Sequence, residues 1–404
     1  MGRPGMQYGQ IGLIFIIFEL VLCPPARPIF TGIRPPGSSF CILLIKCNAQ
    51  NENFSMKSKQ IKRILRIGFI IASVGSLCFV PWILVKAWIL PLPDTVQEQL
   101  NEAIGLGFDG MIVYVDEAGK PPEFYAAGWH DRKKKIPAYP QALFKIASIT
   151  KLYVAVATAK LVKEGRLSLD KTLAEYFPEL AGRIEHSDKI TLRMMAQHRS
   201  GIPNFVDHPD YWTKPPKNRQ ETLEYALDLP AVFEPGEDYG YSNTNYLLIG
   251  EILDKTLGYS HHQYIKREIL IPHNLNNTFS LLSEVYLDTV MSGYDVGYDS
   301  DLKNSDFIIP GGSMVATAMD VGIFLRELNN GSLLNDNEQA IYSSIYEYDH
   351  TGLLPGYTSI ARYHKDIDAV VVLFVNTSGG YTWNLSKIMY NRIVRITRNK
   401  NQPQ

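Results

Sequence analysis

The chain has 404 residues, of which 46% are hydrophobic and 20% are charged. This composition is typical of a globular protein with a large core and excludes a disordered or fibrous chain. The formal net charge of −1 provides no basic excess for nucleic acid, so we expect no nucleic-acid partner. Residues 94–404 contain no cysteine, which excludes disulfides and thiolate zinc sites there; the four cysteines are Cys23, Cys41, Cys47 and Cys78.

The first 55 residues do not look like part of a folded domain. Their apolar run, Ile11–Leu22, has only 12 residues and is short for a membrane span. Met56 opens a segment that resembles a natural amino terminus. We therefore expect residues 1–55 to be a non-native or disordered leader, with translation starting at Met56.

Residues 56–93 have the features of a membrane anchor. Met56–Arg66 carries five basic residues and no acid, and residues 67–85 follow as 19 positions without a charge. A helix of that length spans roughly 28 Å, close to the hydrocarbon core of about 30 Å. The positive-inside rule then predicts a single pass with a cytoplasmic amino terminus and a periplasmic or extracellular catalytic domain at 94–404. A cleaved signal peptide is the alternative, but no small-x-small cleavage site precedes Asp94.

The predicted elements from residue 94 onward have strands at both ends and helices between them. Gly110–Asp116 and Glu123–Trp129 predict a hairpin. Apolar periodicity and glycine stops predict the helices Ile149–Glu164, Ile190–Ala196, Thr244–Leu257 and Asp320–Leu328. The carboxyl end predicts the strands Thr358–His364 and Ala369–Asn376 and a helix over Thr382–Arg398. We therefore expect an α/β fold of the α+β type, with an antiparallel sheet built from both chain ends and flanked by helices, and an inserted, mainly helical lobe.

A nucleophile candidate comes from the pattern S-x-x-K, which occurs at Ser148, Ser168 and Ser300. Only Ser148 precedes a strongly apolar helix, and residues three apart share a helix face. The amine of Lys151 is then expected in a half-buried cleft, where desolvation lowers its pKa toward that of a useful base. The alternative is that Ser148 merely caps the helix while Lys151 extends to solvent.

Two later motifs bear on this choice. Tyr241-Ser242-Asn243 lies in a loop just before the predicted helix Thr244–Leu257, and His350-Thr351-Gly352 precedes a predicted strand. In this order the three motifs resemble the serine β-lactamase and penicillin-binding protein family, in particular its class C β-lactamases and D-alanyl-D-alanine carboxypeptidases. The resemblance extends to the segments Phe144–Lys151, Leu161–Asp170, Ile190–Arg193, His198–Gly201, Phe233–Gly236 and His350–Gly356.

The resemblance implies a role for each motif residue and a β-lactamase/transpeptidase-like fold. Ser148 is expected to attack a carbonyl, with Lys151 and Tyr241 as its proton partners; which of the two is the base is disputed for such sites. Asn243 is expected to orient the substrate amide. The remaining residues are expected to form the substrate wall and the oxyanion hole: His350, Thr351 and Gly352 for the wall, and the backbone N–H groups of Ser148 and Leu353 for the hole.

His350 departs from the pattern of the β-lactamases in this branch, which usually carry lysine there. A histidine is often neutral at pH 7, which weighs against a dedicated β-lactamase.

The three motifs and the predicted anchor lead us to expect a membrane-anchored serine hydrolase without metal or cofactor. In particular, we expect a D-alanyl-D-alanine carboxypeptidase-like enzyme or a D-amino-acid peptidase. An esterase or β-lactamase-like hydrolase and a catalytically silent penicillin-binding or sensor module are the alternatives. The expected partners are a small-molecule or peptide substrate, with peptidoglycan stem peptides as the leading case, and the membrane.

Overall fold

The computed structural model of the chain describes residues 58–211 and 214–400. The chain divides into one unit that ends at Leu77 and a second unit from Cys78 to Gln404. Helix α1 (Ser58–Leu77) is the described part of the first unit. The leader predicted at residues 1–55 lies outside the described residues.

The predicted span at residues 67–85 is not one continuous helix. Helix α1 ends at Leu77, and helix α2 (Trp82–Ile89) begins after Pro81, whose ring fixes φ near its observed −73° and removes a backbone donor. Within the described residues, no single helix is both long and apolar enough to cross a bilayer. Leu65–Leu77 and Trp82–Ile89 meet that criterion only as a broken pair. The anchor therefore stays a prediction.

The second unit contains a large sheet, two small sheets and surrounding helices. Its strands are β1 (Gly110–Glu117), β2 (Glu123–Asp131), β3 (Ile136–Pro137), β4 (Phe144–Lys145), β5 (Thr278–Phe279), β6 (Tyr294–Asp295), β7 (Val315–Ala316), β8 (His350–Leu354), β9 (Tyr357–His364), β10 (Ala369–Val375) and β11 (Thr377–Ser378). Its helices after α2 are α3 (Val96–Ile104), α4 (Thr150–Lys163), α5 (Leu173–Tyr176), α6 (Leu192–Ala196), α7 (Arg219–Glu224), α8 (Asn243–Leu257), α9 (His261–Ile265) with a following π-helical turn (Lys266–Leu270), α10 (Ala318–Asn330), α11 (Asp336–Ser343) and α12 (Thr382–Lys400).

The central sheet joins the two ends of the domain. Its strand order is β3-β2-β1-β10-β9-β8, and every neighbouring pair is antiparallel. Strand β1 from the amino-terminal part pairs with β10 from the carboxyl-terminal part, with Val113 opposite Leu373. Helices α5 to α9 lie in the long insertion between these ends. The predicted α+β fold with a terminal sheet and an inserted helical lobe is confirmed.

The alternation of side chains along β1 explains how the sheet forms two cores. Met111 and Val113 face a layer that includes Leu100 of α3 and Ile393 of α12. Ile112 and the even-numbered positions of β10 face the opposite layer, which contains α4, α8 and α10. Because successive strand side chains point to opposite faces, a strand that is apolar throughout requires such cover on both sides. Packing in the layer that contains α4, α8 and α10 brings the start of α4 close to strand β8.

Candidate active site

Ser148 lies in a short 3-10 turn, Ala147–Ile149, between β4 and helix α4. Ala147 has φ of +51°, in the left-handed region that residues with a Cβ rarely adopt. Both Ala147 and Ile149 are buried, whereas Ser148 is half-buried. The packed neighbours therefore hold a strained turn that leaves the serine hydroxyl accessible, a combination that is common at functional sites.

Lys151 is the fully buried partner of this hydroxyl. Its Nζ lies 3.0 Å from Oγ of Ser148, 2.9 Å from Oδ1 of Asn243 and 2.8 Å from the carbonyl oxygen of Gly311. The amide and carbonyl oxygens only accept hydrogen bonds, so a neutral amine donates one N–H to each of them. Its lone pair then faces Ser148. This is the geometry that a base needs to take the serine proton.

Burial also tunes the charge of the amine. Desolvation lowers the pKa of Lys151 from 10.5 to about 7. A substantial fraction of this lysine is therefore neutral near pH 7, whereas a solvated lysine would be almost fully protonated. The alternative in which Lys151 extends to solvent from a plain helix cap does not agree with this position.

Tyr241 lies on the other side of the same hydroxyl, with its phenol oxygen 2.9 Å from Oγ of Ser148. The residue is 36% exposed overall, but desolvation by the surrounding protein raises the pKa of Tyr241 above its ordinary value of 10. The phenol is therefore protonated at neutral pH and donates to Ser148. This geometry is suited to Lys151 as the base and Tyr241 as the acid, and both roles stay predictions.

Asn243 opens helix α8 and is fixed by its neighbours. Its Oδ1 accepts from Lys151, while Oδ1 of Asn204 accepts from its backbone N–H at 2.9 Å and from Nδ2 at 3.3 Å. Asn243 thus holds Lys151 in position in the structure. Its predicted contact with the substrate amide stays a prediction.

His350 starts strand β8 and is held neutral. Its Nδ1 donates to the carbonyl oxygen of Thr351, and its Nε2 accepts from the hydroxyl of Tyr346 at 2.8 Å. Burial, with a contribution from nearby Lys151, lowers the pKa of His350 from 6.5 to about 3. The position where the β-lactamases that the sequence resembles usually carry a lysine is therefore uncharged at neutral pH.

Gly352 brings strand β8 against the segment that precedes Ser148. A Cβ at this position would lie 2.3 Å from Oγ of Ser359 and 2.4 Å from the carbonyl oxygen of Ile146. The sequence assigned Gly352 to the substrate wall, and that role stays a prediction; the neighbours that the structure shows for it belong to the protein itself. Glycine is required because the strand and the nucleophile turn pack backbone to backbone.

Thr351 and Leu353 lie on the same strand, which is the edge of the central sheet. Thr351 is half-buried, and the side chain of Leu353 is 51% exposed. Because β8 is an edge strand next to the Ser148 turn, it offers backbone groups to a ligand. The oxyanion hole predicted from the N–H groups of Ser148 and Leu353 stays a prediction.

The other two S-x-x-K matches form no comparable pair. Ser168 and Ser300 are both exposed. Neither serine accepts a hydrogen bond from the lysine of its own motif, which is Lys171 for the first and Lys303 for the second. Ser168 accepts instead from the backbone of Asp170. Of the three motifs, all within the described residues, only the one at Ser148 joins hydroxyl and amine.

Sequence reasoning missed several residues that complete the site. Gly311 and Asn204 position the Lys151 amine and its partner, and His198 packs on Tyr241 with ring centroids 4.4 Å apart. Proximity to Pro310 and Gly312 marks Gly311 as a turn residue, but nothing in the local sequence links it to Lys151. Across residues 58–211 and 214–400, no three metal-binding side chains converge on one point.

Comparisons with known proteins agree with this geometry. The β-lactamase family model matches residues 94–344. Protein flp of Staphylococcus aureus (strain MW2) is 30% identical over 317 residues, which cover 72% of this chain and 64% of that protein. The chain thus spans less than two thirds of the length of that relative.

Solved structures show the same fold. The D-amino acid amidase from Ochrobactrum anthropi SV3 superposes with a TM-score of 0.67 at 23% identity, covering 76% of this chain and 98% of the amidase. A penicillin-binding protein from Bacillus halodurans gives a TM-score of 0.63 at 19% identity, over 74% and 98% of the two chains. Because the family model matches residues 94–344, more than half of the chain, the chain belongs to the β-lactamase family.

Proposed function

We propose that this protein is a serine hydrolase that cleaves amide bonds of D-amino-acid peptides, as a D-alanyl-D-alanine carboxypeptidase-like enzyme or a D-amino-acid peptidase. The observation that carries the proposal is the position of the Ser148 hydroxyl between Lys151 and Tyr241, at 3.0 and 2.9 Å. An activated serine between a base and an acid is suited to acyl transfer. It requires neither a metal nor a cofactor.

The proposed reaction has two balanced halves. In acylation, Lys151 takes the proton of Ser148, Oγ bonds to the carbonyl carbon, and the C–N bond breaks as Tyr241 gives its proton to the departing nitrogen. In deacylation, Tyr241 takes a proton from water, the hydroxide attacks the ester, and Lys151 returns its proton to Ser148. The net change is one amide and one water converted to an acid and an amine.

The neutral wall at His350 weighs against a dedicated β-lactamase and, within the proposed function, favours D-amino-acid amides or peptides that place no carboxylate at this position. A fixed cation at this position would favour the carboxylate of an antibiotic, whereas burial keeps the pKa of His350 near 3 and the ring uncharged. The resemblance in fold to the Ochrobactrum D-amino acid amidase is consistent with this choice. A β-lactamase-like or esterase activity is the competing outcome of the test below.

We further propose that the catalytic domain works outside the cytoplasm, on substrates such as peptidoglycan stem peptides, and that residues 56–93 attach it to the membrane. The support is the basic flank up to Arg66 followed by 19 uncharged positions. Fractionation of native cells, with protease added to spheroplasts, tests this placement. Resistance of the domain to protease in spheroplasts, with digestion after lysis, would contradict it.

Four substrates distinguish the candidate functions. The purified protein is incubated with a fluorescent penicillin, a chromogenic cephalosporin, a D-alanyl-D-alanine peptide and a nitrophenyl ester. Labelling at Ser148 with release of D-alanine supports the proposal. Rapid cephalosporin turnover would favour a β-lactamase, ester cleavage alone an esterase, and no acylation by any of the four a silent binding module.

A further inference from the structure

A cavity opens beside Tyr241, the proposed acid of the site. It has a volume of about 270 Å³, and its wall includes His198, Tyr239, Tyr241, Tyr346, Glu347 and His350. Tyr241 and His350 thus belong both to this cavity and to the catalytic site. A substrate held by Ser148 can therefore extend a group into the cavity.

Half of the residues that line the cavity are aromatic, and their rings contact one another. His198 lies 4.4 Å from Tyr241, 6.1 Å from Tyr239 and 6.2 Å from Tyr346, measured between ring centroids. Tyr346 stacks on His350 at 5.8 Å. Electron-rich rings arranged around a small space attract a cation, as in the aromatic cages that bind ammonium groups.

The charge of the cavity has the matching sign. Both histidines are neutral near pH 7, because burial lowers the pKa of His198 and of His350 to about 3. Glu347 is the one residue of the described cavity wall that carries a full charge. Its side chain is exposed and forms no ion pair with any cation in the described part of the chain.

The cations near the cavity wall have other partners. Lys151 contacts Ser148, Asn243 and Gly311. Arg193, which donates to the Ser344 hydroxyl of the wall, pairs with Asp170, and Arg362, which acts electrostatically on His350, pairs with Asp349. The cavity therefore combines aromatic side chains with a carboxylate that no described cation pairs with. Together with a neutral His350, this arrangement is unfavourable for a substrate carboxylate and favourable for an ammonium group.

We propose that the cavity around Glu347 binds a primary ammonium group of the substrate, with Glu347 as the residue that determines this specificity. The inference rests on the proposed function and narrows it to D-amino-acid amides or peptides that carry a free amine. The ammonium belongs either to the α-carbon of the acylating residue or to a basic side chain. Both sources present the same chemistry to the cavity.

Three anilides distinguish the two sources and test the specificity. D-alanine p-nitroanilide has a free α-amine, N-acetyl-D-alanine p-nitroanilide has none, and Nα-acetyl-D-lysine p-nitroanilide has only a side-chain amine. We expect kcat/KM to be at least about 10-fold higher for one of the amines than for the uncharged anilide.

The variant Glu347→Gln should remove that preference, mainly through KM, and leave kcat/KM for the uncharged anilide unchanged. Glu347→Asp should restore part of it, and Glu179→Gln, at an exposed site in the helical lobe, should change nothing.

Equal kcat/KM for charged and uncharged anilides, or a preference that survives in Glu347→Gln, would overturn the inference while leaving the proposed function intact. A direct measurement covers the case in which no anilide is cleaved, which would count against the proposed function. D-alanine amide and Nα-acetyl-D-lysine amide are titrated calorimetrically into Ser148→Ala and into Ser148→Ala/Glu347→Gln. At least about 10-fold weaker binding of the preferred amide to the double variant supports the inference, and equal binding contradicts it.

Discussion

The amine of Lys151 lies 3.0 Å from the hydroxyl oxygen of Ser148, and the lysine side chain is completely buried. Two further acceptors, Asn243 and Gly311, occupy its N–H groups and direct the remaining position of the nitrogen toward the serine. Burial and these bonds together suit Lys151 to the proposed role of base. The following predictions test separate parts of this relationship.

Replacing Lys151 by alanine should abolish acylation while the domain stays folded. The variant loses the group that takes the serine proton, so we expect the rate of labelling by fluorescent penicillin to fall at least about 10³-fold. Thermal unfolding should show no loss of stability comparable to that of a core deletion, because a desolvated amine is removed. Lys171→Ala, at the second S-x-x-K match, is the matched control and should label normally. Wild-type labelling of Lys151→Ala would exclude this lysine as the base.

The acylation rate should depend on pH through the Lys151 amine. Burial lowers its pKa to about 7, and only the neutral amine accepts a proton. The rate should therefore rise with pH, reach half its maximum near pH 7, and fall about tenfold for each unit below that. Stopped-flow labelling between pH 5 and 9 measures the profile. A rate that is constant across this range would show that deprotonation of Lys151 does not control acylation.

The lowered pKa of Lys151 also affects how the free energy of unfolding depends on pH. The pKa of Lys151 is lowered in the folded state relative to its ordinary value of 10.5, so the unfolded chain binds more protons between about pH 7 and 10.5. This residue's contribution to the free energy of unfolding therefore increases with pH over that window. The free energy of unfolding, measured with denaturant, should rise more steeply with pH in this window for the wild type than for Lys151→Met. An identical pH dependence of the two proteins would contradict a buried neutral lysine.

Tyr241→Phe should slow acylation by about 10²- to 10³-fold without unfolding the protein. The change removes the phenol that bonds Ser148 at 2.9 Å and gives a proton to the leaving group. The loss should be smaller for a nitrophenyl ester, because nitrophenolate leaves without protonation. Tyr286→Phe, at an 87% exposed tyrosine, is the control. An equal loss of acylation rate for amide and ester substrates would exclude Tyr241 as the acid that protonates the leaving group.

Gly352→Ala should damage the site by displacing strand β8. The added Cβ would lie 2.3 Å from Oγ of Ser359 and 2.4 Å from the carbonyl oxygen of Ile146. We expect a loss of about 1–3 kcal/mol in the free energy of unfolding and at least about a tenfold loss in acylation. Gly182→Ala, where a Cβ meets nothing within 4 Å, should be neutral in both measurements. A fully active Gly352→Ala would show that the close packing is not needed.

The parts of the fold that sequence reasoning predicted are those with strong local signals. The apolar run before Gly165 predicted helix α4, and Gly258, which adopts φ of +78°, marked the end of α8. The β-rich runs at the two ends of the domain predicted a shared sheet. Short elements such as β4 and β7 pair over only two residues and leave no periodic pattern, so they were not predicted.

The site was predictable where its chemistry is local and not where it is assembled across the chain. Ser148 and Lys151 are three residues apart, in a 3-10 turn and in the helix that directly follows it, so their pairing follows from spacing. Asn204 and Gly311 join the site only because α8 and the loop before β7 fold onto the start of α4. The role assigned to Gly352 also required the structure, since the closest neighbour of a glycine cannot be identified from its own strand.

Covalent labelling tests the central claim, acyl transfer at Ser148, most directly. The protein is treated with a fluorescent penicillin, digested and analysed by peptide mass spectrometry, alongside Ser148→Ala, Ser168→Ala and Ser300→Ala. The account predicts one adduct per chain on the peptide that contains Ser148, its loss in Ser148→Ala, and normal labelling of the other two variants. An adduct at any other residue, or labelling that persists in Ser148→Ala, would contradict it.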